Sequence, residues 1–189
     1  MPDRKKRFSA FWGLIGVTGL SAAYCLFLFT GSSLQHQRSV VKRLLAWKMG
    51  ARLVTEKDVI LQTGPNGCGP ASLKTVLAAH GIHRSIADLE ADLRLTRKGT
   101  SMFELRKTSC KSGLGAKSWA VNPEHLNRVP LPAIAFVNGD HFVVLRRFVT
   151  PEILEVDDPA LGRLQWPTNR FQRRWSGEIL IFDPDWTPH

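Results

Sequence analysis

The stretch "LPAIAFVNGDHFVVL", Leu131 to Leu145, decides the fold. Two apolar runs flank Asn138-Gly139, a dipeptide that tolerates the positive φ angles of a tight hairpin, so the runs read as neighbouring antiparallel strands. Similar segments lie on either side: "AKSWAV" (116–121) before it, then the continuation "HFVVLRRFV" (141–149), "EILEVDD" (152–158), "GRLQWP" (162–167) and "EILIFD" (178–183). Thr-Pro, Asp-Pro and Trp-Pro turns separate them. From about Ala116 onward the chain is therefore strand-rich.

Upstream of the strands the pattern changes to helix. "ASLKTVLAAHG" stops at Gly81, while "SIADLEADLR" opens with a capping box from Ser85 to Asp88. "SMFELRKTSCKSG" opens with a second box, Ser101 to Glu104, and stops at Gly113. Helices first and an antiparallel sheet second is an α+β arrangement.

The N-terminal part has another character. Residues 1–7 form a basic tail ending in Arg4, Lys5, Lys6 and Arg7, and "FSAFWGLIGVTGLSAAYCLFLFTG" (8–31) is almost wholly apolar or small. As a helix that segment suffices to cross about 30 Å of hydrocarbon, and it exceeds the apolar core of about 7 to 15 residues in a cleaved signal peptide. It is expected to be an uncleaved single-pass transmembrane anchor in the cell membrane. Basic residues flank it on both sides, Arg38, Lys42, Arg43 and Lys48 following closely, so the orientation signal is weak; the expectation is a domain outside the cytoplasm. Residues 32–56 then hold a juxtamembrane amphipathic helix, "SVVKRLLAWKMGARLV" (39–54), read either as lying on anionic headgroups or as a solvated linker helix packed on the domain. The folded domain is expected over 57–189.

Composition narrows the function classes. Of 189 residues, 43% are hydrophobic and 22% charged, which are globular values. Setting aside the tail leaves 22 basic against 15 acidic residues, an excess of seven. That excess is modest and carries no aromatic-interleaved basic patch, so no nucleic-acid partner is expected. Cys25, Cys68 and Cys110 are too few and too scattered for a disulfide framework, and no C-x-x-C pair suggests zinc. No metal or organic cofactor is implied, and any thiol chemistry must come from a single cysteine.

Cys68 is the candidate. It sits between Gly67 and Gly69 in "LQTGPNGCGPASL" (61–73), directly ahead of a helix. A helix N-terminus favours negative charge and so lowers a thiol pKa. An inert packing cysteine in a glycine-rich turn explains the same residues. A thiol nucleophile also needs a base. His36, His80, His83, His125 and His189 lie in linker, helix-end, turn or terminal positions, whereas His141 begins a strand beside a hairpin tip, where it can face a cleft from a fixed backbone. "EVDDPALG" places Asp157 and Asp158 at the end of the next strand, either of which could orient an imidazole, though an acidic pair before Pro is also a common turn. Gln62 could offer its amide to an oxyanion alongside the Cys68 N–H, or be an ordinary loop glutamine.

Taken together, Gln62, "CGPASL", "AAHGI", "SIADL", "GTSMFELRKTSCKSGLGAKSW", "LPAIAFVNGDHFVVL" and "DPALGRLQW…FQRRWSGEIL" resemble the bacteriocin-processing, double-glycine leader peptidase family. These are papain-like cysteine peptidase domains found at the N-terminus of bacteriocin ABC exporters. The resemblance covers about Val59 to Phe182, with the landmarks in family order. It implies a papain-like α+β fold with Cys68 as nucleophile, His141 as general base and then acid, Asp158 as imidazole orienter and Gln62 as the oxyanion-hole side chain. Asp157 is the alternative orienter should the register shift by one residue. The implied reaction is hydrolysis of a peptide bond after small, Gly-Gly type residues of a peptide or protein substrate.

Two departures from the family pattern stand out. Family members often carry an acidic residue before the cysteine, where this sequence has Gly67. No G-x-x-x-x-G-K-[ST] phosphate loop or exporter span set follows, so an exporter, if one is used, is expected to be a separate protein and the substrate need not be a bacteriocin leader. The rival readings are a non-catalytic leader-binding module of a secretion system, another thiol amidase or acyltransferase on the same fold, and a membrane-surface scaffold. The last leaves the Cys, His and Asp constellation unexplained.

Overall fold

The computed structural model describes residues 38–55, 57–97, 99–183 and 185–187. The expected basic tail and anchor, 1–7 and 8–31, lie outside them, and no helix among the described residues is long and apolar enough to cross a membrane. The chain divides into two units, 1–44 and 45–189. In the first, residues 38–44 are helical; in the second, residues 45–48 are helical and the rest forms one sheet with helices on it.

The sheet has seven strands: β1 (Arg52–Thr55), β2 (Lys117–Ala120), β3 (Ala133–Val137), β4 (His141–Thr150), β5 (Ile153–Asp158), β6 (Gly162–Pro167) and β7 (Trp175–Ile181). Their order is β1-β6-β5-β4-β3-β7-β2, with every neighbouring pair antiparallel. The β3–β4 hairpin turns at Asn138 and Gly139, both at positive φ (57° and 80°), and the Asp140 N–H donates to the Val137 carbonyl. Two left-handed residues in succession give the turn a twist that matches that of the strands.

The helices are α1 (Cys68–Ala79), α2 (Ile86–Asp92), α3 (Met102–Lys111) and the short α4 (Thr168–Gln172), with a 3-10 turn over Pro123–Arg128. Both capping boxes form: Ser85 Oγ accepts from the Asp88 N–H at 3.1 Å and Ser101 Oγ from the Glu104 N–H at 3.2 Å. Helix α1 ends where Gly81 turns left-handed at φ 75°, so that the Ile82 N–H reaches back to the Leu77 carbonyl and the Gly81 N–H to that of Ala78. Gly113 ends α3 in the same way, at φ 90° with Leu114 bonded to Ser109 and Gly113 to Cys110. Each ending satisfies carbonyls that would otherwise be orphaned.

One element departs from the sequence reading. The helical pattern over Ser39–Val54 holds only to residue 48, and Arg52–Thr55 is an edge strand paired with β6, Leu53 opposite Leu164. Gly50, at φ 82°, breaks the helix, and the four strand residues after Ala51 are too few to reveal a period of two. The sheet thus takes in residues upstream of the expected boundary at 57.

Two apolar layers sandwich the sheet. Leu73, Val76, Leu77, Leu89 and Leu105 from the helices meet Ile134, Phe142, Val144 and Leu180 on one face. Ala133, Ala135, Val143, Leu145, Ile179 and Ile181 point to the other, against Leu126, Trp166 and Phe171. Alternate residues of β3, β4 and β7 enter opposite cores, which is why "AIAFV", "FVVL" and "ILI" read as continuous apolar runs. Helix α1 packs chiefly on β4, which sets the N-terminus of α1 beside the first residues of that strand.

Candidate active site

Cys68 is the first residue of α1 and follows Gly67, whose carbonyl receives the first helical hydrogen bond, from the Ala71 N–H. The N–H of Cys68 therefore lacks an intrahelical acceptor, and Pro70 occupies a first-turn position where its missing N–H costs nothing. Cys68 is 8% exposed. No larger residue fits at 69, because a Cβ there would collide with Thr100 Cγ2. The glycine on the helix side of Cys68 is thus fixed by close packing.

Ser72, one turn further along and fully buried, donates to the Phe142 carbonyl at 3.3 Å. The Phe142 and Gly69 backbone groups and the His141 ring in turn favour the charged form of the Cys68 sulfur. Helix and strand are stitched together at the point where thiol meets imidazole. Ser72 was quoted within "CGPASL" without a part of its own; a small hydroxyl on the buried side of an apolar helix was the one available signal, since a buried hydroxyl needs a partner.

His141 opens β4 and is one-fifth exposed. Its Nε2 lies 3.0 Å from Asp158 Oδ1, which leaves Nδ1 for the thiol. Asp158 Oδ1 also accepts the backbone N–H of Ala160 at 2.8 Å and of Leu161 at 3.2 Å. A carboxylate held by its own turn cannot swing away, and it fixes the ring in turn.

The choice between the two aspartates is settled by strand parity. Asp157 pairs with Val144 in the β4–β5 ladder, so it and Asp158 point to opposite faces. Asp157 is held by Arg146 Nη1 at 2.9 Å and Arg163 Nε at 2.8 Å, well away from the imidazole's partners.

The electrostatics follow from this arrangement. Burial pushes the Cys68 thiol up, but the hydrogen bonds from His141, Phe142 and Gly69 outweigh it and hold the thiol below its ordinary value. Burial likewise pulls His141 down, yet its hydrogen bonds to Asp158 and Cys68, and their charges, push the imidazole up to about 10. Both shifts describe one pair that prefers thiolate beside imidazolium.

Gln62 lies in the turn that packs against Gly67, with part of its amide already engaged. Its backbone N–H donates to the Pro159 carbonyl at 2.9 Å, tying it to the Asp158 turn. Its Nε2 donates to Gly64 O at 2.8 Å, and its Oε1 is buried with no partner. One amide N–H remains for another acceptor. Gly67 explains how this loop fits: a Cβ there would stand 3.2 Å from Gln62 Cβ and 3.3 Å from the Gly64 carbonyl oxygen. A larger residue would have to push the Gln62–Gly64 turn outward. No cluster of His, Cys, Asp and Glu that could hold a metal occurs among the described residues.

Known proteins share this arrangement of sequence. The family model described as "Peptidase C39 family" matches residues 56–187. The chain is 26% identical over 128 residues to an uncharacterized protein of Methanothermobacter marburgensis, covering 68% of this chain and 89% of that one. It is 29% identical over 134 residues to the lactococcin-G-processing and transport ATP-binding protein LagD of Lactococcus lactis, covering 68% of this chain but 19% of LagD. Among solved structures, a double glycine motif protease from an AMS/PCAT transporter, crystallised with its leader peptide, is 34% identical with a TM-score of 0.64. That match covers 66% of this chain and 89% of the protease.

Proposed function

The chain belongs to the Peptidase C39 family and is a cysteine peptidase, and we propose that it cuts leader peptides after small, Gly-Gly type residues, using Cys68, His141 and Asp158. The observation that carries this reading is the continuous chain of contacts from the Cys68 thiol, at a helix N-terminus, through His141 to Asp158 Oδ1 at 3.0 Å.

The reaction follows from the groups in place. The Cys68 thiolate attacks the scissile carbonyl carbon, a C–S bond forms and the carbonyl π pair moves to oxygen. The Cys68 N–H and the remaining N–H of Gln62 Nε2 stabilise that oxyanion. As it collapses, the C–N bond breaks and imidazolium at His141 gives its proton to the departing amine. The neutral ring then takes a proton from water, the resulting hydroxide attacks the thioester, and the C–S bond breaks to restore the thiolate. Asp158 holds the ring and favours its charged form throughout. Substrates with glycine at the cut suit a thiol that is itself nearly buried, and the leader peptide bound to the AMS/PCAT protease supports a peptide substrate of this kind.

The apolar segment 8–31 supports a single-pass membrane anchor in the cell membrane, with the peptidase outside the cytoplasm as the preferred orientation. LagD joins processing and transport in one protein, of which this chain spans about a fifth. An exporter is the partner this likeness supports.

The test is labelling of the chain with a peptide aldehyde or vinyl sulfone ending in Gly-Gly, in parallel with cleavage of a double-glycine peptide. Stoichiometric modification at Cys68, lost in Cys68→Ala and strongly slowed in His141→Ala, is expected. Labelling that survives loss of His141 at full rate would overturn the mechanism, and labelling without cleavage would favour a leader-binding module instead.

A further inference from the structure

Beside Cys68 the helices leave part of the sheet uncovered. A hollow of about 260 Å3 opens there, lined by Thr100, Ser101, Met102, Phe136, Phe142 and Glu178. Two of these residues join it to the thiol: Thr100 Cγ2 and the Phe142 ring both pack where a side chain at Gly69 would stand. Strand order supplies the rest. β4, β3 and β7 are neighbours, Phe142 pairs with Phe136, and Ile179 pairs with Ala135, which sets Glu178 alongside Phe136. Glu178 shares its face of β7 with Leu180, two residues on, which packs in the helix-side core with Phe142. Phe142, Phe136 and Glu178 therefore form a row that runs away from Cys68 across three strands. The two rings touch, with centroids 4.8 Å apart, and the charge stands at the far end.

The fold makes little use of that charge. Glu178 is exposed, and among the described residues its carboxylate engages only Ser176 Oγ, at 3.4 Å. Arg106, which borders the neighbouring hollow, lies over the Phe103 ring instead, 5.5 Å from its centroid. An aromatic floor that ends in a carboxylate suits a side chain with an apolar stem and a cationic head. The stem lies on Phe136, whose ring face attracts positive charge, and the head reaches Glu178. Neighbouring strands stand about 4.8 Å apart, so Glu178 is about 10 Å from Phe142, and an extended peptide advancing about 3.3 Å per residue covers that in about three residues. We propose that this hollow is a specificity subsite for an arginine or lysine of the substrate, about three residues from the scissile bond, with Glu178 as the selecting residue. The proposal rests on the reading of Cys68 as the nucleophile, and it adds a charge preference to the small residues at the cut.

Double-glycine peptides carrying arginine, lysine, glutamine or glutamate at each position within about four residues of the cut, on either side, are offered to the full chain. The same set is offered to Glu178→Gln and Glu178→Lys, and retained alkylation of Cys68 by iodoacetamide shows that each variant is folded. The expected result is a position about three residues from the cut at which arginine or lysine raises kcat/KM about ten-fold over glutamine. Added salt should shrink that preference, Glu178→Gln should abolish it, and Glu178→Lys should turn it toward glutamate. Cleavage with no basic preference at any position overturns the subsite and leaves the peptidase reading standing. A preference that survives Glu178→Gln at full size does the same. If the wild-type chain cleaves none of the peptides while Cys68 is still alkylated, the double-glycine peptidase reading and the subsite fall together.

Discussion

Asp157 and Asp158 are neighbours in sequence, both nearly inaccessible, and they do different work. Asp158 touches the one imidazole beside the thiol and two backbone N–H groups of its own turn. Asp157, one residue earlier, points to the other face and is held by Arg146 and Arg163, next to Glu155 and its own arginine contacts. Either cluster alone would pass as a functional site by charge and burial. What separates them is the partner: a titratable, partly exposed ring next to a thiol on one side, permanently charged guanidinium groups on the other. A buried charge marks a reactive site only when its partner can exchange a proton at working pH.

Several measurements sharpen or break that contrast. The largest effect is expected at the proposed nucleophile and base: Cys68→Ala should abolish peptide cleavage, and His141→Ala should lower kcat/KM by at least about 10^3-fold with little change in melting temperature. Asp158→Ala follows, costing about 10^2-fold in kcat, and Asp158→Asn less, because an amide oxygen still accepts from Nε2. Asp157→Asn should do the reverse. Activity in the folded fraction stays within about two-fold, while stability to urea falls by about 2 kcal/mol. That is below the 3–5 kcal/mol of a fully buried pair, since Arg146 is 38% exposed. Equal kinetic effects at 157 and 158 would refute the division of labour.

A pH titration tests the ion pair itself. With the thiol lowered and the imidazole pushed up to about 10, iodoacetamide should alkylate Cys68 rapidly at neutral pH, and His141→Gln should shift that profile to higher pH. The stability linkage has a definite sign. His141 is raised above its ordinary 6.5, so its contribution is fully present below that value and is lost as pH rises through about 10. A melting temperature that is flat between pH 8 and 10.5 in the wild-type chain, and no different in His141→Gln, would remove the ion pair. The smallest effect is expected at Gly67→Ala. The added Cβ meets backbone atoms of the Gln62–Gly64 turn at 3.3 Å, so the loop shifts by a few tenths of an ångström, with kcat reduced about two- to five-fold and the alkylation profile unchanged.

Much of this was legible before any coordinates. The Asn138-Gly139 hairpin, two capping boxes, and glycine stops at 81 and 113 are local signals: each depends on the φ angles and hydrogen bonds of four to six consecutive residues, and the structure forms all of them. β1 was read as helix because Arg52–Thr55 is too short to show its own period and is a strand only because β6 lies beside it. The 3-10 turn at Pro123–Arg128 and α4 were missed for the same reason, being brief segments held by tertiary packing.

The site divides along the same line. Sequence alone supplied the residue types, a cysteine at a helix start, a histidine at a strand start and an acidic pair before proline, because those depend on local context. Residue types alone could not choose between Asp157 and Asp158, where the family resemblance named Asp158, nor give Ser72 a part, nor say why residue 67 is glycine. Those answers rest on which face a strand residue takes, which carbonyl lies beside a buried hydroxyl, and how closely the Gln62 turn approaches Gly67, and such contacts join residues up to 70 positions apart. Local chemistry can be read along the chain, whereas partnership at such separations exists only once helix and sheet have packed.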